Sequence, residues 1–306
     1  MYKRQVKSAF LGRKLIFGIQ INYVFQTSNY LWIFQKIAGS ALRAASGLGK
    51  AGTTTLVSSS FVVGKVQHMS SGWTSMQRDR QPEVMDQPGL DPAEHDRALQ
   101  GLRRINGISR CVPGLFRHVE ALAGESPATQ LSVLELACGG GDTAIELAAL
   151  ARRRDLDVLV QACDLNPEAV RLARRNVARS DSNVGVFVAD ALDPSESKQF
   201  DVVYCTLFVH HLDPPDVVRL LKGMTARARR LVIVDDLIRS RLGYSLAWMG
   251  TRLLSRSWVV HHDGPLSVKG AFTPSEILDL ASQAGLHDCV LERTWPERYR
   301  LCWRPH

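Results

Sequence analysis

Strand-like and helix-like segments alternate along the chain between residues 132 and 234, and this alternation limits the possible folds more than any other feature. Five short apolar runs are predicted to be strands: Ser132–Leu136, Val158–Ala162, Val184–Val188, Val202–Thr206 and Leu231–Val234. Three amphipathic stretches between them are predicted to be helices: Thr143–Arg153, Pro167–Ala178 and Pro215–Met224. Such alternation is typical of a doubly wound α/β fold, in which helices cover both faces of a mostly parallel sheet.

The segments that flank this region extend the predicted fold at both ends. Asp91 precedes Pro92 and Glu94 in a pattern typical of a helix start, and a second helix is predicted over residues 115–123. Near the other end, Thr273 and Glu276 form a second capping box. Short apolar runs at residues 288–292 and 298–303 then predict a terminal hairpin that adds an antiparallel strand, for seven strands in all.

Residues 1–80 differ in composition from the rest and are predicted to be a separate basic extension. No acidic residue precedes Asp79, whereas residues 1–78 contain ten Lys or Arg. The uncharged run Leu15–Gln35 is long enough to cross a bilayer but contains five Asn or Gln side chains. The sequence leaves three interpretations of the extension open: a presequence, a membrane anchor, or an artefact upstream of a true start at Met69 or Met76. We expect residues 1–68 to be dispensable for folding and catalysis.

The folded domain is therefore predicted to span residues 81–306. Beyond residue 78 the chain carries 28 basic and 30 acidic side chains, so the formal charge of +8 belongs to the extension. A nucleic-acid partner is disfavoured, because such partners need a basic face on the domain itself. The six cysteines form no C-x-x-C pair and no zinc-type cluster, which predicts no metal site and a reducing, cytoplasmic compartment.

A glycine-rich turn directly after the first predicted strand indicates a cofactor site. The strand ends at Glu135-Leu136, and the turn Ala137-Cys138-Gly139-Gly140-Gly141 opens the next helix at Asp142. Glycine lets the backbone approach a ligand closely because it has no Cβ. Residues 139–144 also fit the dinucleotide pattern G-x-G-x-x-A, so a nicotinamide or flavin oxidoreductase is the rival hypothesis.

Acidic residues at three successive strand ends favour a cationic cofactor over a diphosphate. Asp164 ends the second strand, where a carboxylate can accept hydrogen bonds from both hydroxyl groups of a ribose. Asp190 follows the third strand, where its carboxylate can accept a hydrogen bond from the amine of adenine. The negative charge of Glu135 would repel a pyrophosphate but attract a sulfonium or ammonium group.

These motifs resemble the class I S-adenosylmethionine-dependent methyltransferases over about residues 85–306. The resemblance implies a Rossmann-like seven-stranded sheet, S-adenosylmethionine as the cofactor, and further cofactor contacts from Ala137, Leu165 and Ala191. Two departures stand out. Ala137 replaces the first glycine of the loop, which a negative φ would tolerate, and no Pro-Gly-Gly turn precedes the fifth strand.

Within that class the chain resembles the small-molecule branch, including quinone-type enzymes and those associated with type III polyketide synthases. The resemblance implies a role in secondary metabolism, with an apolar aromatic or lipid-like acceptor methylated on a phenolic oxygen or a ring carbon. A methyltransferase-like module that binds without catalysis is the non-enzymatic alternative. The oligomeric state is not determined by the sequence.

The acceptor is expected at the carboxyl ends of the fourth and fifth strands, where this fold type binds ligands. His210 and His211 follow the fourth strand, and Asp235 and Asp236 follow the fifth. We predict His210 first and Asp236 second as the catalytic base, since imidazole titrates near neutral pH and a buried carboxylate can have a raised pKa. The long insertion 237–269 carries an apolar helical stripe flanked by arginines, which predicts a lid over the acceptor or a peripheral membrane contact.

Overall fold

The computed structural model describes residues 76–305 apart from 88, 110, 126–128 and 194–197. The predictions for residues 1–75 therefore lie outside the described residues. In the part that the structure describes, no helix is both long enough and apolar enough to cross a membrane.

A seven-stranded sheet forms the centre of the domain. Its strands are β1 (Leu131–Leu136), β2 (Val158–Asp164), β3 (Val184–Val188), β4 (Phe200–Thr206), β5 (Ala228–Leu237), β6 (Val290–Thr294) and β7 (Arg298–Trp303). The spatial order is β3-β2-β1-β4-β5-β7-β6, with β1 to β5 parallel and β7 antiparallel to both β5 and β6. The strand order reverses between β1 and β4, which is where a doubly wound sheet opens a ligand crevice.

Eight α-helices accompany the sheet in the described residues: α1 (Pro92–Ser109), α2 (Cys111–Glu125), α3 (Asp142–Arg153), α4 (Pro167–Ser180), α5 (Pro214–Arg227), α6 (Arg241–Leu254), α7 (Trp258–Gly270) and α8 (Pro274–Gln283). One apolar core packs α5 and α8 against the sheet, and a second packs α2 and α3. Two cores on one sheet confirm the doubly wound α/β fold that the alternation predicted.

The region around β5 differs from the sequence prediction in two ways. Helix α5 ends at Arg227 and β5 begins at Ala228, so the chain enters β5 directly, without a Pro-Gly-Gly turn. The buried Arg227 side chain bonds the backbone carbonyl groups of Ala191 and Asp193, which fixes this junction. Strand β5 also continues to Leu237, because β7 pairs with it as far as that residue. Asp235 and Asp236 therefore lie within the strand rather than after it.

Residues 76–87 pack on the domain, although the sequence analysis placed residues 76–80 in the extension. Arg78 donates to the carbonyl groups of Gly270 and Leu212 at 2.8 and 2.7 Å, and Arg80 pairs with Asp213 at 2.8 Å. The carboxylate of Asp263 accepts the backbone N–H groups of Val84 and Met85, each at 3.0 Å. The structured domain thus begins before residue 81.

Candidate active site

The glycine-rich turn between β1 and α3 adopts three left-handed backbone conformations. The φ angles of Ala137, Gly139 and Gly141 are 53°, 52° and 74°. A Cβ on Gly141 would approach Ala173 of α4 to 3.1 Å, so this glycine serves helix packing, whereas a Cβ on Gly139 would project into open space. The φ of Ala137 is positive, so the condition under which alanine would be tolerated here is not met, and the strain of a left-handed alanine lies beside the candidate ligand site.

Asp164 holds the turn in this conformation. It is the last residue of β2, and its two carboxylate oxygens accept the backbone N–H groups of Gly139 at 2.8 Å and Asn166 at 2.9 Å. Each oxygen keeps a second lone pair for a further donor. Asp164, which is predicted to bind the ribose, therefore also connects the ends of β1 and β2.

The end of β3 supplies the third acidic group. Asp190 is partly exposed and accepts the backbone N–H of Leu192 at 2.8 Å, while Ala191 is buried. Leu165, at the neighbouring end of β2, leaves 64% of its surface exposed. A large apolar side chain exposed at the end of a strand suits the face of a planar heterocycle.

Glu135 of β1 is almost fully buried at the same edge of the sheet. Its Oε1 lies 3.5 Å from the hydroxyl of Thr206, and its Oε2 has no hydrogen-bond partner among the described residues. Burial raises the pKa of this carboxyl group to about 8, because the anion is removed from water. A cation brought to Oε2 would offset that cost.

A buried histidine–aspartate pair lies at the ends of β4 and β5. His210 belongs to a short 3₁₀ helix, Val209–His211, and its Nδ1 lies 2.7 Å from Oδ1 of Asp236. The other carboxylate oxygen accepts the backbone N–H of His210 at 3.2 Å. Although burial acts to lower the pKa of His210, the charge of Asp236 and its hydrogen bond outweigh burial and raise it above the usual value. Since an ionised carboxylate can only accept, Nδ1 carries the proton and Nε2 is the atom that can exchange one.

The Nε2 side of His210 faces a glutamate from the segment before α1. Glu83 Oε1 lies 3.8 Å from Nε2 and also accepts a hydrogen bond from the hydroxyl of Ser267 on α7. The pKa of the neighbouring His211 is lowered to about 3 by burial and by His210, so His211 is neutral near pH 7. One ligand atom from each of Glu83, His210 and His211 falls within 4.8 Å of the others, a cluster that the sequence analysis missed.

Asp235 and Asp236 are adjacent but have different surroundings. Successive side chains of a strand point to opposite faces. Asp236 therefore meets His210, while Asp235 forms ion pairs with Arg298 and Arg300 of β7, each at 2.6 Å. The structure thus brings one of the two aspartates to the candidate site and uses the other inside the domain.

A cavity of about 230 Å³ lies beside His210 and His211. Arg80, Glu83 and Ser267 contribute polar groups to its wall. His210 lies four residues beyond Thr206, which is the last residue of β4 and the neighbour of Glu135.

Comparison with known proteins places this geometry in a family. Residues 133–230 match the model of a methyltransferase domain. No curated protein matches the sequence significantly. This chain contains a methyltransferase domain with the class I fold.

Solved structures share the fold at low sequence identity. The plantazolicin methyltransferase BpumL, in complex with a triazolic desmethylPZN analogue and SAH, is 14% identical with a TM-score of 0.54, over 71% of this chain and 92% of that chain. The plantazolicin methyltransferase BamL, with the same analogue and SAH, is 15% identical with a TM-score of 0.50, over 66% and 71%. Magnesium protoporphyrin IX methyltransferase from Synechocystis PCC 6803 with bound SAH is 15% identical with a TM-score of 0.46, over 72% and 91%.

These findings confirm a methyltransferase domain and the seven-stranded sheet with its antiparallel hairpin. Two residues beside His210 were missed by sequence reasoning. Glu83 precedes the first predicted helix and belongs to no motif, and Ser267 lies in the middle of the insertion. The segment before α1 and helix α7 both pack beside the 3₁₀ helix Val209–His211. Only this packing brings Glu83 and Ser267 to His210.

Only part of the insertion that was predicted to form a lid lines the cavity. The insertion folds into two helices, and α7, not α6, lines the cavity. The apolar stripe of α6 includes Leu242, Met249 and Leu253, which are exposed on the outer surface. That the insertion covers the acceptor stays a prediction.

Proposed function

We propose that this chain transfers a methyl group from S-adenosylmethionine to a small phenol-like acceptor, at the oxygen or at a ring carbon activated by loss of the hydroxyl proton. The observation that carries the proposal is the buried His210–Asp236 pair, whose histidine lines a cavity. The acceptor is a product of secondary metabolism in this proposal, in keeping with the natural-product methyltransferases that share the fold.

The residues at the sheet edge fit S-adenosylmethionine. The unpartnered Oε2 of Glu135 would hold the cationic methionine end, and the open space at Gly139 allows close approach of the ligand to the backbone. Asp164 would accept the ribose hydroxyl groups, with Leu165 and Ala191 against the adenine and Asp190 on its amine. Ala137 shapes the loop through its left-handed backbone. A dinucleotide fits less well, because its pyrophosphate would meet the charge of Glu135 when that carboxyl is ionised.

The protein's part in the reaction is to position the acceptor and remove one proton. S-adenosylmethionine supplies an already activated methyl group, so alignment of the acceptor provides much of the rate. His210 Nε2 would take the hydroxyl proton of the acceptor, and Asp236 holds the imidazole in the tautomer that leaves Nε2 free. Glu83, 3.8 Å from Nε2, would stabilise the imidazolium that results.

The proposal is tested by offering the full chain S-adenosylmethionine with a set of alkylated phenols and following S-adenosylhomocysteine release. We expect turnover with phenols and none with their methyl ethers, which have no proton to lose. Binding of NADH in place of S-adenosylhomocysteine would instead support the oxidoreductase alternative. Cofactor binding without turnover on any phenol would support the binding-module alternative.

The Asp164→Ala variant should bind S-adenosylhomocysteine less tightly by roughly 1.5–3 kcal/mol, as expected for loss of a charged hydrogen-bond partner. Titration calorimetry measures the change. Asp193→Ala, an exposed acidic residue just beyond the same edge, is the matched control and should bind normally. An unchanged affinity in Asp164→Ala would show that this carboxylate does not hold the ribose.

Cofactor binding should release a proton from Glu135 near pH 7. The carboxyl group has a pKa of about 8 and is mostly protonated there, whereas a bound cation favours the carboxylate. Affinity should therefore rise with pH, by at most roughly tenfold per unit, and level off above about pH 8. Calorimetry in two buffers of different ionisation enthalpy reports the proton count. The Glu135→Gln variant should lose this release, and equal proton counts in the two proteins would separate Glu135 from the cofactor.

A further inference from the structure

Helix α6 and the first residue of α7 together expose an unusual concentration of large apolar side chains. Nine such residues are exposed in the described part of the chain, and five of them lie within the 17 positions from Leu242 to Trp258. They are Leu242, Trp248, Met249, Leu253 and Trp258, and we call this set the α6 ridge. Leu253 leaves 71% of its surface exposed. Exposed apolar patches of this kind mark surfaces that bind something.

The helix is oriented with its small residues inward. Gly243 and Thr251 are the buried residues of α6. Thr251 packs so closely on α7 that a Cβ on Gly264 would lie 2.5 Å from its methyl carbon. A helix that served only as a packing element would bury its leucines and methionine instead. The packing of α6 on α7 therefore fixes the orientation of α6, and this orientation exposes the ridge.

The charges on the segment that carries the ridge are of one sign. Between residues 237 and 262 the chain contains no Asp or Glu. Arg241, Arg252 and Arg256 are exposed beside the ridge, and Arg252 stacks on Trp248 at 4.2 Å. Arg104 of α1 reaches the last turn of α6, where it lies 3.4 Å from the carbonyl oxygen of Leu254.

We propose that the α6 ridge binds the surface of a membrane that carries anionic lipids. Leucine and methionine side chains would enter the boundary of the acyl chains, the two tryptophans would lie at the level of the headgroups, and the arginines would meet the lipid phosphates. Helix α7, which packs against α6, lines the cavity beside His210, so the proposed acceptor cavity would face the lipid reservoir through α7. Membrane binding itself does not rest on the proposed methyl transfer, because it needs neither cofactor nor acceptor.

The experiment measures sedimentation of the full chain with extruded vesicles of phosphatidylcholine containing about 30 mol% phosphatidylglycerol, an anionic surface of the kind that basic segments recognise. The double variant Met249→Ser/Leu253→Ser should lower the partition coefficient by about tenfold or more, since two apolar side chains no longer enter the bilayer. The matched control is Val290→Ser, an apolar residue of β6 that is 56% exposed and should leave binding unchanged.

A second variant tests the charge contribution without touching the apolar residues. Arg252→Glu/Arg256→Glu should also lose about tenfold on anionic vesicles, and added salt should weaken binding of the unmodified chain. Thermal unfolding of each variant checks that the fold is intact, as expected for exposed positions. Binding equal to the unmodified chain in both double variants would overturn the proposal and assign any vesicle affinity to another segment. Loss of a dimer with no change in vesicle binding would assign the ridge to a second copy of the chain. Failure of methyl transfer would leave these results unaffected.

Discussion

The His210→Gln variant should lose on the order of 10²-fold in turnover under saturating S-adenosylmethionine, the usual scale for removal of a general base. Glutamine keeps a hydrogen bond to Asp236 but cannot take a proton from the acceptor. Cofactor affinity should change little, because Glu135 and Asp164 hold the cofactor in our proposal. Turnover near that of the unmodified enzyme would mean that catalysis depends on positioning alone.

The pH profile distinguishes a base from a structural histidine. The neutral form of His210 is the active one, and Asp236 raises its pKa above the usual value, so turnover should rise with pH through a midpoint above that of an ordinary histidine. In Asp236→Asn the group that raises this pKa is removed while burial remains, so the midpoint should move to lower pH and turnover should also fall. The rise should persist in His211→Gln, since the pKa of His211 is about 3. An excess of EDTA should leave the rate unchanged, and a loss of activity there would assign Glu83, His210 and His211 to a metal instead.

The Asp235→Asn variant should lose about 3–5 kcal/mol of folding stability, the range for breaking a buried ion pair by removing one partner. Arg298 and Arg300 are both almost fully buried against this carboxylate. The Nε and Nη1 atoms of Arg300 have no hydrogen-bond partner among the described residues. Room for this guanidinium depends on Gly114 of α2, where a Cβ would lie 2.7 Å from it. Urea unfolding followed by circular dichroism measures the loss.

Asp236→Asn is the matched control for this stability effect. His210 can release its proton when Asp236 loses its charge, whereas an arginine stays charged in a protein interior. Asp236→Asn should therefore cost clearly less stability than Asp235→Asn while costing more turnover. Replacing Asp235, Arg298 and Arg300 together by leucine or methionine should recover part of the stability, because no unpaired charge then remains buried. A stable but inactive Asp235→Asn protein would instead place Asp235 in the reaction.

The residues of the predicted cofactor site could be identified from local sequence patterns, and their proximity could be predicted from the order of strands and helices along the chain. Glu135, the glycine turn, Asp164 and Asp190 each stand at the end of an apolar run, and parallel strands bring such ends to one edge of a sheet. Backbone conformation was less accessible, as Ala137 shows. Its left-handed φ is imposed by the bonds that Asp164 and Cys163 make to the turn, which no propensity for alanine reveals.

The acceptor half was only partly determined by the sequence. The residues His210 and Asp236 were identified as candidates, but their contact depends on the register between β4 and β5, in which Thr206 lies opposite Asp235. Glu83 and Ser267 come from segments 184 residues apart and meet at His210 only because residues 76–87 fold back onto α7. The direction of the α6 stripe was likewise undetermined, since periodicity shows that a helix has an apolar face but not whether that face points inward. The sequence alone therefore determined the fold class, the methyltransferase motif and the acids at the strand ends, because these are local patterns with a fixed period. Tertiary packing decided which aspartate meets the histidine, which glutamate faces it and which helix face meets solvent, because each depends on contacts between distant segments.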